Sequence, residues 1–424
     1  MKTPHEHTIG SPGAGKWLSW GSTTLYTVFG VFSIISFSVL AESIEVGTGL
    51  DSTVIASTAT LYFLVYAFAQ LIAGILIDRQ GIWPTMVLTS VLATAGGILV
   101  ISSDSALILH LARGMMGAGL ASGFVGALYI ARTRFPAKNF AFMSGVTQMA
   151  ANLIAAFASV AIAEMDFAPV IMISSVINGL LVVMLAVCLW GSPRPMPTKH
   201  PQRSALQSMA EVLTAPSIWV ASMFFAGVFG SFLVFADFWN IPLQKAHGHD
   251  IQMQATLNAM LPLGTAIGAM LIGLWSDRSA RVSSLAQLVS ITSTALLSVV
   301  IFIPPTSTTA MLIVLFSAGF CLGGAMLAFP AATRYCPPHI HGAAIGLVTT
   351  FGFVAAGVAN FLIGELAIAD PMIREMLEDH IHADLPYVDA IAGFKTAFIP
   401  MIVLVAISIP CAFMMHDKPP PTKD

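Results

Sequence analysis

Two short stretches of the sequence share one pattern, Gly74-Ile-Leu-Ile-Asp78-Arg79 and Gly273-Leu-Trp-Ser-Asp277-Arg278. Each begins at the end of a long apolar segment and carries a glycine, then Asp-Arg, at the same spacing. They lie 199 residues apart, which is close to half of the 424-residue chain. One charged turn at the same point of both halves indicates that the chain arose by duplication of a single unit.

The composition indicates that this unit is a set of membrane helices. The residues are 56% hydrophobic and only 9% charged, with a mean hydropathy of +0.84. Soluble domains carry about 25% charged residues, so this chain has too few to cover a surface that faces water. Its apolar segments are long and continuous, which favours membrane-spanning helices over the alternating pattern of a closed barrel.

Read at about 20 residues per span, the sequence predicts about twelve membrane spans. The first six predicted spans are 18–41, 52–77, 84–103, 106–131, 140–163 and 168–190. The second six are 217–241, 252–275, 283–303, 309–332, 342–366 and 394–414. We therefore predict an all-α integral membrane fold of two six-helix bundles, the layout of transporters that carry one repeat in each half.

Polar stretches divide the chain further. A proline-rich segment followed by a short amphipathic helix, Gln202 to Thr214, predicts a linker between the halves. The predicted parts are a tail (1–17), an N-terminal bundle (18–190), the linker (191–216), a C-terminal bundle (217–414) and a second tail (415–424). The N-terminus lacks the pattern of a signal peptide, so the first span is expected to stay in the protein.

The distribution of Lys and Arg predicts the orientation. With both termini in the cytoplasm, 14 of the 18 basic residues fall on the cytoplasmic side, as the positive-inside rule requires. The acidic loop Asp370 to Ala390 then lies outside, where we expect a solvated connector rather than a short amphipathic helix. The four cysteines have no spacing typical of a metal site or a disulfide framework, and no metal is expected.

The repeated turn resembles the signature loop of the major facilitator superfamily, Gly-x-x-x-Asp-Arg-x-Gly. The fourth span adds Arg113-Gly-Met-Met-Gly117, which is similar to the family's Arg-x-x-x-Gly pattern. The resemblance covers the whole chain and implies a transporter that works by alternating access, with the loop acting as a cytoplasmic latch. The latch residues implied are Gly74, Asp78, Arg79, Gly81, Asp277 and Arg278. The second copy lacks the final glycine, so a plain tight turn is an equal alternative there.

Ionisable residues inside or beside the spans are candidates for proton coupling or for binding a substrate carboxylate, because charge is costly in a bilayer. They are Arg113, His110, Asp237 and Glu42. The alternatives are a structural arginine that satisfies carbonyl groups, and acidic residues at the membrane interface. Polar and aromatic residues predicted to line a central cavity are Tyr62, Tyr66, Gln70, Gln148, Asn152, Trp239, Asn240, Asn258 and Asn360. The alternative for these is hydrogen bonding between helices.

The sequence does not support an enzyme, since it has neither a Walker loop nor a cluster of His, Cys and acidic residues with catalytic spacing. We expect no cofactor. We predict a secondary transporter that imports a small polar nutrient, such as an amino acid or a nucleoside, together with protons. Import of an anionic metabolite or polycarboxylate siderophore is one alternative. Proton-antiport efflux of drugs or metabolites is the other, and it is less favoured because the fifth span lacks the Gly-Pro motif of the superfamily's exporters. The expected partners are the solute, protons and the lipid bilayer, with no nucleic acid, for a monomer in a bacterial inner membrane.

Overall fold

The computed structural model describes residues 13–101, 105–162, 165–193, 204–334, 336–378 and 388–417. Almost all of these residues are helical, and none of them lies in a strand. Eleven helical segments in these ranges are long and apolar enough to cross a membrane. The remaining predicted span, 140–163, corresponds to a 23-residue helix, Phe140–Ile162. The prediction of an all-α membrane fold with about twelve spans is confirmed.

Helices are favoured here because a bilayer offers no water to backbone N–H and C=O groups, so each span must satisfy them internally. The helices of the first half are α1 (Gly13–Val39), α2 (Ala41–Thr48), α3 (Ser52–Gln80), α4 (Ile82–Ile101), α5 (Ala106–Leu120), α6 (Ser122–Arg134), α7 (Phe140–Ile162) and α8 (Phe167–Cys188). The fourth span is formed by α5 and α6 together, which meet at Ala121.

The second half contains more interruptions. Its helices are α9 (Ala205–Thr214), α10 (Pro216–Phe225), α11 (Ser231–Val234), α12 (Asn240–Ala246), α13 (Ile251–Ser279), α14 (Val282–Phe302), α15 (Thr308–Leu322), α16 (Ala328–Arg334), α17 (His341–Ala369), α18 (Pro371–Glu378), α19 (Val388–Ala397) and α20 (Ile399–Met414). The seventh span runs from α10 to α12 and includes two wider, π-helical turns, Ala226–Gly230 and Phe235–Trp239.

An apolar outer surface covers the helices that lie at the periphery. Along α8, for example, Ile173, Val176, Leu180, Val183 and Val187 are all exposed. Large apolar side chains in such an unbroken stripe are unfavourable in water and favourable against lipid tails. This surface fits the predicted multi-pass membrane location.

Each half packs mainly against itself. In the first half α1 contacts α6, α7 and α8, while α4 contacts α5 and α8. In the second half α13 contacts α15, and α14 contacts α15 and α20. The two halves meet along two helix pairs, α3 with α17 and α7 with α13. These pairs occupy corresponding positions in the two halves, since α3 and α13 carry the two copies of the Gly-x-x-x-Asp-Arg turn.

One connector differs from the expectation. Residues 371–378 of the acidic loop form a helix, α18, instead of a solvated connector. The carboxylate of Asp370 accepts hydrogen bonds from the first N–H groups of α18, and Ile373 and Met376 are buried beneath it. The Lys245 ammonium also donates to the Met376 carbonyl at 2.7 Å. The rest of the loop, 379–387, lies outside the described residues.

The predicted amphipathic helix of the linker is present as α9, which begins with a capping box formed by Ser204 and Gln207. The proline-rich part of the linker, 194–203, lies outside the described residues, as do residues 1–12 and 418–424 of the predicted tails. The first helix begins at Gly13, five residues before the predicted start of the span.

Candidate functional site

A cavity of about 570 Å³ lies between the two halves of the protein. It extends from Gln70 on α3, the helix that ends in the first Asp-Arg turn, and Thr349 on α17 to Ile241 and Ala255 near the opposite end of the bundle. Its walls contain many aromatic rings. These are Phe63, Tyr66, Phe124, Phe157, Phe225, Phe229, Phe232 and Phe353. Aromatic faces bind planar and apolar groups of a solute by stacking and by excluding water.

Polar groups are few and are spread over both halves. The first half contributes Thr27, Tyr66, Gln70, Gln148 and Asn152, and the second half contributes Asp237, Asn258 and Thr349. Among the described lining residues, Asp237 is the only acid, and none is a Lys, Arg or His. The cavity therefore combines apolar walls with amide groups and a single carboxylate.

Asp237 lies in the second π-helical turn of the seventh span, Phe235–Trp239. Such a turn contains an extra residue, which rotates the following side chains relative to a regular helix, and it often occurs at functional sites. Phe235 and Ala236 are buried, whereas the side chain of Asp237 is exposed to the cavity. The local backbone thus directs a carboxylate towards the cavity.

Gln148 and Asn152 lie on one face of α7, as predicted from their four-residue spacing. The Gln148 Nε2 donates to Asn152 Oδ1 at 2.8 Å, so the two amides hold each other while both face the cavity. Gln70 of α3 also lines the cavity, but both polar atoms of its amide are fully buried and have no hydrogen-bond partner among the described residues.

The predicted residues of the seventh, eighth and eleventh spans form a network of hydrogen bonds. The Asn240 Nδ2 donates to Asn258 Oδ1 at 3.0 Å, and the Trp239 Nε1 donates to Asn360 Oδ1 at 2.7 Å. Of these four residues only Asn258 lines the cavity. Trp239, Asn240 and Asn360 instead connect neighbouring helices behind it, which is the alternative role considered for such residues.

Arg113 does not line the central cavity. It is 1% exposed inside the first half, and its guanidinium lies between two aromatic rings, 3.8 Å from the ring centre of Phe37 and 4.2 Å from that of Tyr62. Tyr62 also lies outside the cavity and stacks on Tyr66, which does line it. The sequence alone could not show which of these two tyrosines lines the cavity, because both lie on one face of the helix.

The two other ionisable candidates are also away from the cavity. The His110 Nε2 lies 2.9 Å from Ser57 Oγ, and its Nδ1 lies 2.6 Å from the carbonyl oxygen of Ala106. Glu42 is exposed in the first turn of the short helix α2. Of the four ionisable candidates, the structure therefore places only Asp237 at the cavity.

At the other end of the bundle, both copies of the Asp-Arg turn contact the opposite half. The carboxylate of Asp78 accepts hydrogen bonds from the N–H groups of Gly342 (2.9 Å) and Ala343 (2.7 Å) in the first turn of α17. The carboxylate of Asp277 accepts from Ala141 (3.2 Å) and Phe142 (2.7 Å) in the first turn of α7. An anion is favoured at a helix N-terminus because the N–H groups there have no partner within the helix. We call this end of the bundle, with its two Asp contacts, the latch end.

Glycines let the helices of the two halves approach closely at the latch end. A methyl group at Gly74 would overlap the carbonyl group of Gly342, and one at Gly145 would overlap that of Ala269. At Gly273 it would lie 2.5 Å from the carbonyl oxygen of Ala141. Sequence reasoning identified Gly74 but missed Gly145 and Gly342, whose only signal was their position within the first two turns of predicted spans.

The remaining latch residues differ between the copies. Arg79 and Arg278 are exposed. Gly81 ends α3 with a φ of +93°, a value that favours glycine, and the equivalent residue Ala280 ends α13 in the left-handed region with a φ of +53°. Both turns therefore end with a positive φ, but ψ is 163° at Gly81 and 27° at Ala280, so the second copy has a different backbone geometry that a residue other than glycine can adopt.

Comparison with known proteins agrees with these observations. The sequence matches the Major Facilitator Superfamily over residues 10–360. No curated protein matches the chain in sequence.

Solved structures match it in fold. The human organic anion transporter MFSD10 (TETRAN) has 11% sequence identity and a TM-score of 0.64, and the match covers 92% of this chain and 100% of that one. The E. coli Fucose:proton symporter FucP has 13% identity and a TM-score of 0.66, with 91% and 97% covered. The proton:xylose symporter XylE, bound to 6-bromo-6-deoxy-D-glucose, has 12% identity and a TM-score of 0.61, with 91% and 95% covered. The family match, the paired helical halves and the doubled turn lead to one conclusion: the chain belongs to the Major Facilitator Superfamily of membrane transporters.

Proposed function

We propose that this protein is a secondary transporter that imports a small, polar, uncharged solute together with protons, by alternating access across a bacterial inner membrane. The observation that carries the proposal is the composition of the central cavity, where Asp237 is the only acid among the described lining residues. A lone carboxylate in a largely apolar cavity can take up and release a proton as its access to water changes.

The residues that line the cavity limit the chemical class of solute that it can bind. A planar ring system would stack between the aromatic walls, and its hydrogen-bonding groups would meet the amides of Gln148 and Asn258. An amino acid or an anionic metabolite carries a carboxylate, and no described cation lines the cavity to receive it. A nucleoside-like solute therefore fits this cavity better than an amino acid, a siderophore or another anion.

The state of the latch supports alternating access. The latch end is closed by the carboxylates of Asp78 and Asp277, while the cavity extends towards the opposite end. With the orientation predicted from Lys and Arg, the closed end would be cytoplasmic and the cavity would extend towards the outside. Two structural neighbours are proton symporters by name, FucP and XylE, which agrees with a coupled mechanism.

Uptake into proteoliposomes tests the proposal. Labelled nucleosides, amino acids and dicarboxylates are offered with an inward proton gradient, and we expect accumulation of a nucleoside-like solute that a proton uncoupler abolishes. Asp237→Asn should abolish accumulation but retain exchange of external for internal solute, because exchange needs no net proton movement. Glu45→Gln, which neutralises an exposed acid of α2, is the matched control and should accumulate normally.

Two results would contradict the proposal. Accumulation that survives the uncoupler would exclude proton symport, and normal accumulation by Asp237→Asn would remove Asp237 from the coupling step. Efflux is the second candidate function, because eight aromatic rings also suit an amphiphilic drug. If an inward proton gradient drives a preloaded amphiphilic compound out of the vesicles, the protein is an exporter.

A further inference from the structure

A second, much smaller cavity lies inside the first half, beside Arg113. It has a volume of about 20 Å³ and is formed by side chains of α1, α4, α5 and α8. It shares no lining residue with the central cavity. Besides Arg113, its polar lining residues are Ser33, Ser36, Ser174, Ser175 and Asn178.

Arg113 lacks a partner for its charge among the described residues. Its Nε and Nη1 are buried and form no hydrogen bond, and no described carboxylate lies within ion-pair distance of it. The rings of Phe37 and Tyr62 lie against the guanidinium, and its N–H groups are the atoms that would donate to an anion. An uncompensated cation in a protein interior is unfavourable, so a counter-charge at these N–H groups would be strongly stabilising.

The other polar groups of the small cavity can complete such a site. Asn178 is 2% exposed, and its Oδ1 has no hydrogen-bond partner among the described residues. The hydroxyls of Ser33, Ser174 and Ser175 donate to carbonyl groups of their own helices. Because a hydroxyl rotates, each of them is able to donate to an anion instead.

The volume limits the size of the ligand. A cavity of this kind needs about 10–15 Å³ to hold one water molecule, so 20 Å³ admits one particle of roughly that size. The carboxylate of a metabolite is too large. We propose that the small cavity binds one monatomic anion, a halide such as chloride, which neutralises Arg113 inside the first half.

Thermal unfolding of the purified full-length protein tests the site. Melting is measured in potassium chloride, potassium bromide and potassium gluconate at constant ionic strength. A ligand that binds only the folded state raises the melting temperature with its concentration. We expect chloride and bromide to raise it in a saturable way relative to gluconate, and Arg113→Met to abolish this difference between the salts.

A second variant keeps the arginine and fills the cavity. Ser36→Val should lower the apparent affinity for chloride at least tenfold, whereas Ser290→Val should leave it unchanged. Ser290 is the matched control because it is an equally buried helical serine, in α14 of the other half. If Arg113→Met does not fold, the comparison of Ser36→Val with Ser290→Val still tests whether the anion binds in the small cavity.

Three results would overturn the proposal. Equal melting temperatures in chloride and gluconate would mean that the small cavity holds water. A halide effect that persists in Arg113→Met would mean that the anion binds elsewhere. Equal affinities for chloride in Ser36→Val and Ser290→Val would also exclude this cavity as the site.

Discussion

The two Asp contacts at the latch end allow a quantitative prediction, because the same type of contact occurs twice in the protein with different degrees of burial. Asp78→Ala and Asp277→Ala each remove two hydrogen bonds between a carboxylate and helix N–H groups of the other half. When the latch end opens, water forms hydrogen bonds with these N–H groups in the wild-type protein and in the variants alike. The substitutions therefore weaken the closed conformation more than the open one.

The size of the effect follows from burial. Asp78 is 7% exposed and both of its bonds are 2.9 Å or shorter, so its loss leaves two N–H groups buried without partners. Hydrogen bonds to a charged group contribute about 1.5–3 kcal/mol, and we expect a loss of about 2–3 kcal/mol, or roughly a 30- to 140-fold shift towards the open state. Asp277 is half-buried and one of its bonds is 3.2 Å, so we expect about 1 kcal/mol, as for an ordinary helix cap, or roughly fivefold.

Pulsed electron paramagnetic resonance measures the opening directly. Spin labels at Thr133 and Arg281, both exposed at the latch end and in different halves, report the distance between the halves in a background without the four native cysteines. Asp78→Ala should add a population with a longer distance, and Asp277→Ala should add a smaller one. Asp250→Ala is the control, because that carboxylate caps its own helix, α13, at the opposite end.

The reasoning is refuted if Asp78→Ala leaves the distances unchanged, since the contact would then not hold the halves together. Equal shifts in both variants would refute the argument from burial. A shift in Asp250→Ala of the same size would show that loss of any helix cap opens the protein.

Two further predictions concern backbone positions at the latch end. Ala280→Gly should raise the free energy of unfolding by about 1 kcal/mol in denaturant, because glycine adopts the left-handed backbone of this position without strain. Gly81→Ala at the equivalent turn should lower the free energy of unfolding. No gain for Ala280→Gly would mean that the turn is not strained. Gly145→Ala should lengthen the same spin-label distance, because its methyl group would overlap the carbonyl of Ala269 and separate α7 from α13. Its control is Gly179→Ala on α8, where no atom lies within 4 Å, and an unchanged distance in Gly145→Ala would contradict the close approach.

Much of the fold could be predicted from the sequence because the bilayer imposes a length and a composition on every span. The ends of α4 and α8 lie within two residues of the predicted spans 84–103 and 168–190. Less regular segments were predicted less well. The π-helical turn that contains Asp237 has no hydropathy signal, and the amphipathic pattern of α18 was considered but not favoured over a solvated connector.

The candidate site was predictable only in part. The spacing of Gln148 and Asn152 placed them on one face of α7, and the structure brings that face to the cavity. The same reasoning grouped Tyr62 with Tyr66, yet only Tyr66 lines the cavity. Periodicity defines a face of a helix, but the rotation of that helix about its axis is set by packing.

Hydropathy and a repeated local motif were sufficient to predict the membrane class and the two Asp-Arg turns from the sequence. The tertiary structure decided what each charge does. It directs Asp237 into the cavity, encloses Arg113 between two rings within the first half, and sets Asp78 and Asp277 against helix N-termini of the opposite halves. The physical reason is that a charge acts on what lies within a few ångströms of it, and helix packing alone determines which groups those are.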